Sequence, residues 1–340
     1  MTYPDTSCGN ALTVRGCSVS SRALGLLGST AVPDLSFAQE MLSATVFLYP
    51  TVEDAEHGKK YGGSGAVIGV PVPGRPDIFY MYVVTNWHVA CDGGNSVVRY
   101  TDRNGGSHII ESDPSEWVFI PGGPDLAAIP LLAPVSQPRP MTIPATKFVG
   151  DKYEVFIGED VYMAGRFVDY DGHLTNKPAL RFGAISMLEA DVLQPTGYRG
   201  PSVVVDMHSR SGFSGSPVYA YRPMGMTVDG RMANQLISDG KEQPIVSKRT
   251  WGTGTQTQIR FLGLQWGQFP ESWEVGPHRK PEEASLVESG GSITGFSGMS
   301  CVVPASDITR LLNLPALKNV RDNLPQAVLN AIPIPEGEGA

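Results

Sequence analysis

Residues 211–220 read SGFSGSPVYA, a glycine-rich turn followed at once by a β-forming segment. Ser214 lies in that turn, and Gly212 stands two positions before it. Because glycine adopts backbone conformations that other residues rarely reach, the segment predicts a tight turn that presents the Ser214 hydroxyl. An ordinary glycine-rich hairpin turn is the alternative. The tetrapeptide GFSG recurs in TGFSGMSCVV, residues 294–303, so Ser297 is a second candidate nucleophile.

Two other segments carry the groups that a nucleophilic serine needs, namely a base and a carboxylate that orients the base. His88 ends the strand-like stretch VVTNWHVA, and Asp125 precedes the apolar run of GGPDLAAIPLL. A carboxylate at the entrance to a buried strand needs a donor, and an imidazole N–H is a suitable one. Considered alone, each has a structural alternative, a strand-end histidine and a turn-forming aspartate. Asp102 and Asp113 lie in polar turns and are poorer candidates.

The composition indicates a mostly β protein. The 340 residues include 39 glycines and 28 prolines, and only 18% are charged, which favours many short strands joined by turns. This length can bury one large core or two modest ones. The net charge of −8 disfavours a nucleic-acid partner, because phosphate neutralisation needs clustered Lys and Arg. No apolar run is long enough to span a bilayer, so we expect no membrane partner.

Cysteine usage favours free thiols in a cytoplasmic protein. Cys8, Cys17, Cys91 and Cys301 are too few for a disulfide scaffold, and they lack the close-pair spacing of a zinc site. Cys8 and Cys17 could close a small loop in an oxidising compartment. The early apolar stretch at 23–32 is interrupted by Gly, Ser and Thr, so we do not expect a cleaved signal peptide, secretion being the alternative.

The strand-like segments fall into two series, at residues 37–145 and 146–312, joined by a Pro-rich linker at 133–144. Two successive series of six short strands predict paired antiparallel barrels, the first carrying the His and Asp and the second the Ser. The second series ends in SDITRLLN, where Ser306 is a candidate cap for a short helix.

The remaining segments are less regular. Residues 1–36 are polar and weakly periodic, which indicates an N-terminal arm or cap. Residues 313–340 form a C-terminal tail with room for one more helix. The insertions at 222–260 and 268–293 are longer than a hairpin turn requires, and such loops are often functional or mobile.

In the order His, Asp, Ser, the segments TNWHVA, DLAAIPL and SGFSGSPVY resemble the catalytic segments of chymotrypsin-like serine peptidases, closest in style to the single-domain bacterial glutamyl endopeptidases. The resemblance implies two six-stranded β-barrels with His88 as base, Asp125 as orienting carboxylate and Ser214 as nucleophile. It implies an oxyanion hole from the backbone N–H groups of Gly212 and Ser214, and no metal or organic cofactor. It favours Ser214 over Ser297, because the second GFSG is expected to form the loop before the last strand.

The same resemblance assigns a specificity pocket. FLGLQWG is similar to the strand that lines it, with Gln265, Trp266 and Gly267 in matching places, and His208 and Ser209 stand at the pocket base. Relatives that prefer Lys or Arg carry an acidic residue in place of His208, so that preference is not expected. Glutamyl endopeptidases carry a histidine in place of Gln265, so strict Glu preference is not expected either. His208 and Ser209 are compatible with an acidic or polar side chain before the scissile bond.

The sequence therefore predicts a serine endopeptidase that acts on protein or peptide substrates through an acyl-enzyme intermediate. Two alternatives stay open, a catalytically idle peptidase-fold protein that binds through its cleft or long loops, and a serine esterase. Phe213 occupies the place where zymogen-type relatives carry an acidic residue for activation. We therefore expect constitutive activity or control through the 222–260 segment. The sequence indicates neither the oligomeric state nor the physiological substrate.

Overall fold

The part of the chain that the computed structural model describes comprises residues 41–102, 104–131, 139–149, 155–167, 175–209, 212–222, 226–228, 249–251, 258–274 and 291–323. These residues form sixteen β-strands, most of them in two curled antiparallel sheets. The predicted all-β class of the chymotrypsin type, with a short C-terminal helix, is confirmed.

The first sheet has eight strands, in the order β5-β4-β1-β2-β3-β7-β6, with β8 added in parallel beside β2. The strands are β1 (Thr45–Tyr49), β2 (Gly63–Val72), β3 (Arg75–Thr85), β4 (Val97–Thr101), β5 (Ser107–Ile110), β6 (Val118–Phe119), β7 (Ala127–Pro130) and β8 (Ile143–Pro144). This count exceeds the expected six because β6 and β8 are strands of two residues each. β8 lies in the segment expected to be a linker, and Ile143 is buried in the core.

The second sheet closes into a six-stranded barrel in the order β10-β11-β16-β15-β12-β9. Its strands are β9 (Asp160–Gly165), β10 (Ala179–Leu193), β11 (Arg199–Asp206), β12 (Pro217–Arg222), β15 (Gln258–Glu274) and β16 (Ser292–Pro304). Apolar side chains fill its interior, as the β-branched runs of the sequence predict, and they include Val205, Val218 and Val302.

Three α-helices have their bounds among the described residues, α1 (Val52–His57), α2 (Ala305–Leu312) and α3 (Pro315–Asp322). α2 is the predicted helix, but the prediction that Ser306 caps it is wrong. Pro304 is the N-cap residue, because the helix begins directly after β16 at Ala305 and Ser306 lies in its first turn. Leu311 of α2 packs in one core cluster with residues of both sheets, such as Ile68 and Phe261, so this helix covers the junction between them.

The two long insertions are described only in part. β13 (Met226–Val228) and β14 (Arg249–Trp251) form a separate two-stranded sheet within the first insertion. At the second insertion, β15 and β16 continue as a paired ribbon as far as Glu274 and Ser292. The arm at 1–36, with Cys8 and Cys17, lies outside the described residues. Among the helices that are described, none has the length and apolar character needed to cross a membrane.

Candidate active site

His88 and Asp125 meet where β3 ends and β7 begins. These strands pair antiparallel, with Thr85 opposite Ala127, so the residues just beyond β3 lie beside those just before β7. His88 opens a single π-helical turn, and its Nδ1 lies 2.6 Å from Asp125 Oδ2. The backbone N–H of His88 donates to Asp125 Oδ1 at 2.9 Å. Both carboxylate oxygens are therefore engaged by one residue, which fixes the imidazole orientation.

The side chains of His88 and Asp125 differ in burial. The Asp125 side chain is fully buried, whereas the His88 side chain is 25% exposed. The Asp125 backbone is also held, since its carbonyl accepts from Asn86 Nδ2 at 2.9 Å and its N–H donates to Gln194 Oε1 at 2.7 Å. Asn86 and Gln194 could not be recognised from the sequence, because a buried amide side chain has no distinctive spacing or neighbouring pattern.

Ser214 stands in a tight turn between the end of β11 and β12. Ser216 N–H donates to the Phe213 carbonyl at 2.8 Å, and Gly215, in the third position of this turn, has φ +85°. That is the geometry of a type II β-turn, which requires a positive φ at its third residue. Phe213, Gly215 and Ser216 are buried and Ser214 is half-buried. The turn therefore exposes its serine.

The first sheet holds this turn from the other side. Ser64 N–H of β2 donates to the Ser214 carbonyl at 2.8 Å. A Cβ atom added at Gly63 would lie 2.9 Å from that carbonyl oxygen and 2.9 Å from Cγ1 of Val89, which directly follows His88. The turn of Ser214 and the helical turn of His88 are thus neighbours across Gly63. The structure brings the backbone segments that carry the three predicted triad residues to one place.

The loop before Ser214 is anchored as well. Gly212 has φ +92°, and its carbonyl accepts from Ser64 Oγ at 2.9 Å. The same hydroxyl oxygen accepts from the backbone N–H of Arg166 at 3.0 Å. The predicted oxyanion-hole residues, Gly212 and Ser214, therefore both bond to Ser64, a residue that the sequence analysis did not single out. A serine in GSGAV carries no signal that distinguishes it from other strand serines.

The predicted pocket residues divide into two groups. Gln265 of β15 lies directly beside the nucleophile turn, since Gly215 N–H donates to its carbonyl at 2.8 Å, and its own Nε2 donates to the Gly267 carbonyl at 2.9 Å. Trp266 packs against the core, and its indole N–H donates to Ser202 Oγ of β11 at 3.2 Å. Gln265 is thus placed next to the turn and bonded to Gly267, while Trp266 contacts the barrel wall.

His208 and Ser209 follow the end of β11. Met207 N–H donates to the Gly298 carbonyl of β16 at 2.9 Å, which brings the neighbouring His208 against that strand. A Cβ atom at Gly298 would lie 3.0 Å from His208 Cε1, so the imidazole rests on the bare glycine backbone. Ser209 is buried, with 5% of its surface exposed.

The second GFSG adopts another conformation. It lies inside β16, where the pairing with β15 shifts between Gln268 and Pro270, and Gly298 in this bulge has φ +88°. Ser297 Oγ donates to the Phe269 carbonyl at 3.0 Å. The expectation that this segment forms a loop before the last strand is wrong, because the insertion extends both strands as a ribbon.

Asp102 and Cys91, which are not part of the candidate triad, have pKa values shifted by their surroundings. Asp102 accepts from His108 at 2.6 Å, and this hydrogen bond lowers the pKa of the Asp102 carboxyl at the turn between β4 and β5. Burial raises the pKa of the Cys91 thiol to about 11, and the negative charge of Asp125 adds to the effect. Cys91 and Cys301 are free thiols. Across the described ranges, no group of three or more His, Cys, Asp or Glu side chains is placed to hold a metal.

Residues 63–222 match the family model of the trypsin-like peptidase domain. The match covers less than half of the chain, from β2 to β12, and it contains His88, Asp125 and Ser214 but not the strand of Gln265. It supports a serine peptidase of the chymotrypsin-like kind. It does not distinguish the glutamyl endopeptidases from other members.

Three solved structures are similar to this chain. Deg5 is 18% identical over 54% of this chain and 77% of its own, with a TM-score of 0.38. The MamO protease domain from Magnetospirillum magneticum, in its apo form, is 13% identical over 80% and 97%, with a TM-score of 0.41. The HtrA-type protease AlgW, solved as a variant with a decapeptide, is 14% identical over 82% and 66%, with a TM-score of 0.42. At these scores the likenesses carry no argument about activity. No curated protein matches the chain.

Proposed function

We propose that the protein is a serine endopeptidase in which Ser214, His88 and Asp125 act as a catalytic triad. The observation that carries the proposal is the Asp125–His88 pair, in which a fully buried carboxylate holds one ring nitrogen at 2.6 Å while the imidazole stays partly exposed. The turn of Ser214 lies beside the same helical turn, across Gly63. A base with one nitrogen held by a carboxylate, next to a half-buried serine in a tight turn, is the arrangement that acyl transfer requires.

The chemistry follows from the roles of these groups. His88 takes the Ser214 hydroxyl proton as the oxygen attacks a peptide carbonyl, and it then gives that proton to the leaving amine as the C–N bond breaks. Asp125 stabilises the imidazolium that forms between these steps. The backbone N–H groups of Gly212 and Ser214 stabilise the oxyanion, an interaction whose removal typically costs about 10² to 10³ in turnover. Water then hydrolyses the acyl-enzyme, with His88 again as base.

A fluorophosphonate probe tests the nucleophile. We expect labelling of the folded protein at Ser214, and we expect Ser214→Ala to abolish labelling and to lower kcat by roughly 10⁶-fold. Ser297→Ala is the matched control, because it changes the serine of the other GFSG and should leave labelling intact. Wild-type protein that resists the probe while folded, or labelling that moves with Ser297, would contradict the proposal.

Matched ester and amide substrates separate the remaining alternatives. A peptidase hydrolyses both, whereas an esterase hydrolyses the ester alone, and an idle binding protein hydrolyses neither. The peptide library used for cleavage-site profiling also tests the pocket. His208 and Ser209 support an acidic or polar side chain before the scissile bond, since no carboxylate stands at those positions to pair with Lys or Arg.

A further inference from the structure

Asp125 uses each of its polar atoms, and one of the partners comes from the other barrel. His88 engages the two carboxylate oxygens and Asn86 donates to the carbonyl, and both residues follow β3 of the first sheet. The fourth bond runs from the Asp125 N–H to Gln194 Oε1 at 2.7 Å. Gln194 lies directly after β10 of the second barrel, 69 residues further along the chain.

The turn between β10 and β11 presents Gln194 rigidly. Gln194 N–H donates to the Tyr198 carbonyl at 2.8 Å, and the Gln194 carbonyl accepts from Gly197 N–H at 2.9 Å. The residue is 3% exposed, so its side chain is held within the protein. The same turn makes a second contact, from Thr196 Oγ1 to the Gly123 carbonyl at 2.7 Å. The side chains of Gln194 and Thr196 thus both form hydrogen bonds to the segment that ends in Asp125.

Relative position of the two barrels matters for the proposed chemistry. His88 and Asp125 lie at the ends of β3 and β7 of the first sheet, while Ser214 lies directly before β12 of the second barrel. Proton transfer requires the base and the nucleophile within hydrogen-bond reach, and a misplacement of about 1 Å can cost about 10²-fold in rate. The hydrogen bond between Gln194 of the second barrel and the Asp125 backbone therefore fixes the His88–Asp125 pair relative to the barrel that carries Ser214.

We propose that Gln194 is a positioning residue, which acts through Asp125 and His88 to align the dyad with Ser214. This inference rests on the proposed function. Gln194→Met keeps the approximate shape and removes the acceptor, so we expect kcat to fall by about 10- to 100-fold while KM changes less than about threefold. Arg199→Gln is the matched control, because the exposed Arg199 side chain bonds to the Asp191 carbonyl within the same hairpin and its removal leaves the bond to Asp125 in place. We expect its kcat to stay within about threefold of wild type.

A low-field proton NMR resonance of the His88 Nδ1–H gives a readout that does not need activity. We expect that resonance to shift or broaden in Gln194→Met and to stay unchanged in Arg199→Gln, with both proteins retaining the wild-type circular dichroism spectrum. If wild type shows the resonance but neither labels nor hydrolyses, the proposed function fails while the resonance still tests Gln194. If Gln194→Met keeps both kcat and the resonance, the positioning role is overturned and the peptidase proposal stands.

Gln194→Asn covers the case in which the methionine variant does not fold. Asparagine keeps the amide but is one methylene shorter, so its oxygen does not reach the Asp125 N–H from the same backbone position. We therefore expect kcat to fall by about 10- to 100-fold and the His88 Nδ1–H resonance to shift or broaden. A folded Gln194→Asn protein with wild-type kcat and an unchanged resonance would overturn the inference.

Discussion

Gly215→Ala tests whether the turn of Ser214 depends on the first sheet as closely as the structure indicates. Gly215 has φ +85°, and a Cβ atom there would lie 1.9 Å from the Ser64 carbonyl oxygen and 2.4 Å from Thr85 Oγ1. Ordinary contact begins at 3.4 Å, so the turn must move by more than 1 Å to accept the methyl group. The backbone of Ser64 cannot yield easily, because it is buried in β2.

Two costs add in this variant. A residue with a side chain in the left-handed region costs roughly 1–2 kcal/mol, and overpacking a filled site costs about 1–3 kcal/mol more. Displacement of Ser214 by about 1 Å adds a catalytic loss of about 10²-fold. We therefore expect both a lower free energy of unfolding and a kcat/KM reduced about 100-fold or more.

Gly105→Ala is the matched control. Gly105 has φ +86°, and nothing lies within 4 Å of the position of its added Cβ. Gly105→Ala therefore has the cost of a positive φ but no steric clash of the added methyl group. Urea denaturation of both variants, followed by fluorescence, should place Gly215→Ala about 1–3 kcal/mol below Gly105→Ala. Equal losses of stability in the two variants, or wild-type kcat/KM in Gly215→Ala, would refute the reasoning.

Three further outcomes are expected. Because burial raises the pKa of Cys91 to about 11, iodoacetamide at pH 8 should modify this thiol about a hundredfold more slowly than an unperturbed thiol. Peptide mass mapping measures the rate, and modification at the ordinary rate would contradict the burial of Cys91. Burial raises the pKa of Asp307, so its ionisation costs stability as the pH rises through the folded-state value. Asp307→Asn should raise the thermal midpoint of unfolding at about pH 7 and leave it equal to that of wild type at about pH 3. Equal midpoints at about pH 7 would contradict this. His208→Asp should turn the cleavage preference toward Lys and Arg, and an unchanged profile would remove His208 from the pocket.

The sequence predicts those parts of the fold that depend on local pattern. Short apolar, β-branched runs in segments such as 63–72 and 201–206 indicate buried strands, because strand propensity is a property of each segment alone. Glycine and proline between them indicate the turns. The order of His88, Asp125 and Ser214 then selects the double barrel, through resemblance and not through periodicity.

The two GFSG segments show that a local sequence pattern does not determine the backbone conformation. Gly215 lies in a type II turn that is held by β2 and β15, whereas Gly298 lies in a bulge of one long strand. Four identical residues take two conformations because the paired strands differ, and strand partners distant in the sequence cannot be read from a tetrapeptide. Gln194 was missed for the same reason, since its partner lies on the other barrel.

Ser64 shows how the two barrels hold each other. Its N–H and its hydroxyl bond to the carbonyls of Ser214 and Gly212, and its carbonyl accepts from Thr85 Oγ1 at 2.6 Å. The first sheet therefore braces the turn of the candidate nucleophile, while Gln194 of the second barrel braces the candidate orienting carboxylate. Each barrel therefore holds a candidate-site residue that belongs to the other barrel. A relative shift of the two barrels breaks both sets of hydrogen bonds, so the alignment of the site depends on the contacts between the barrels.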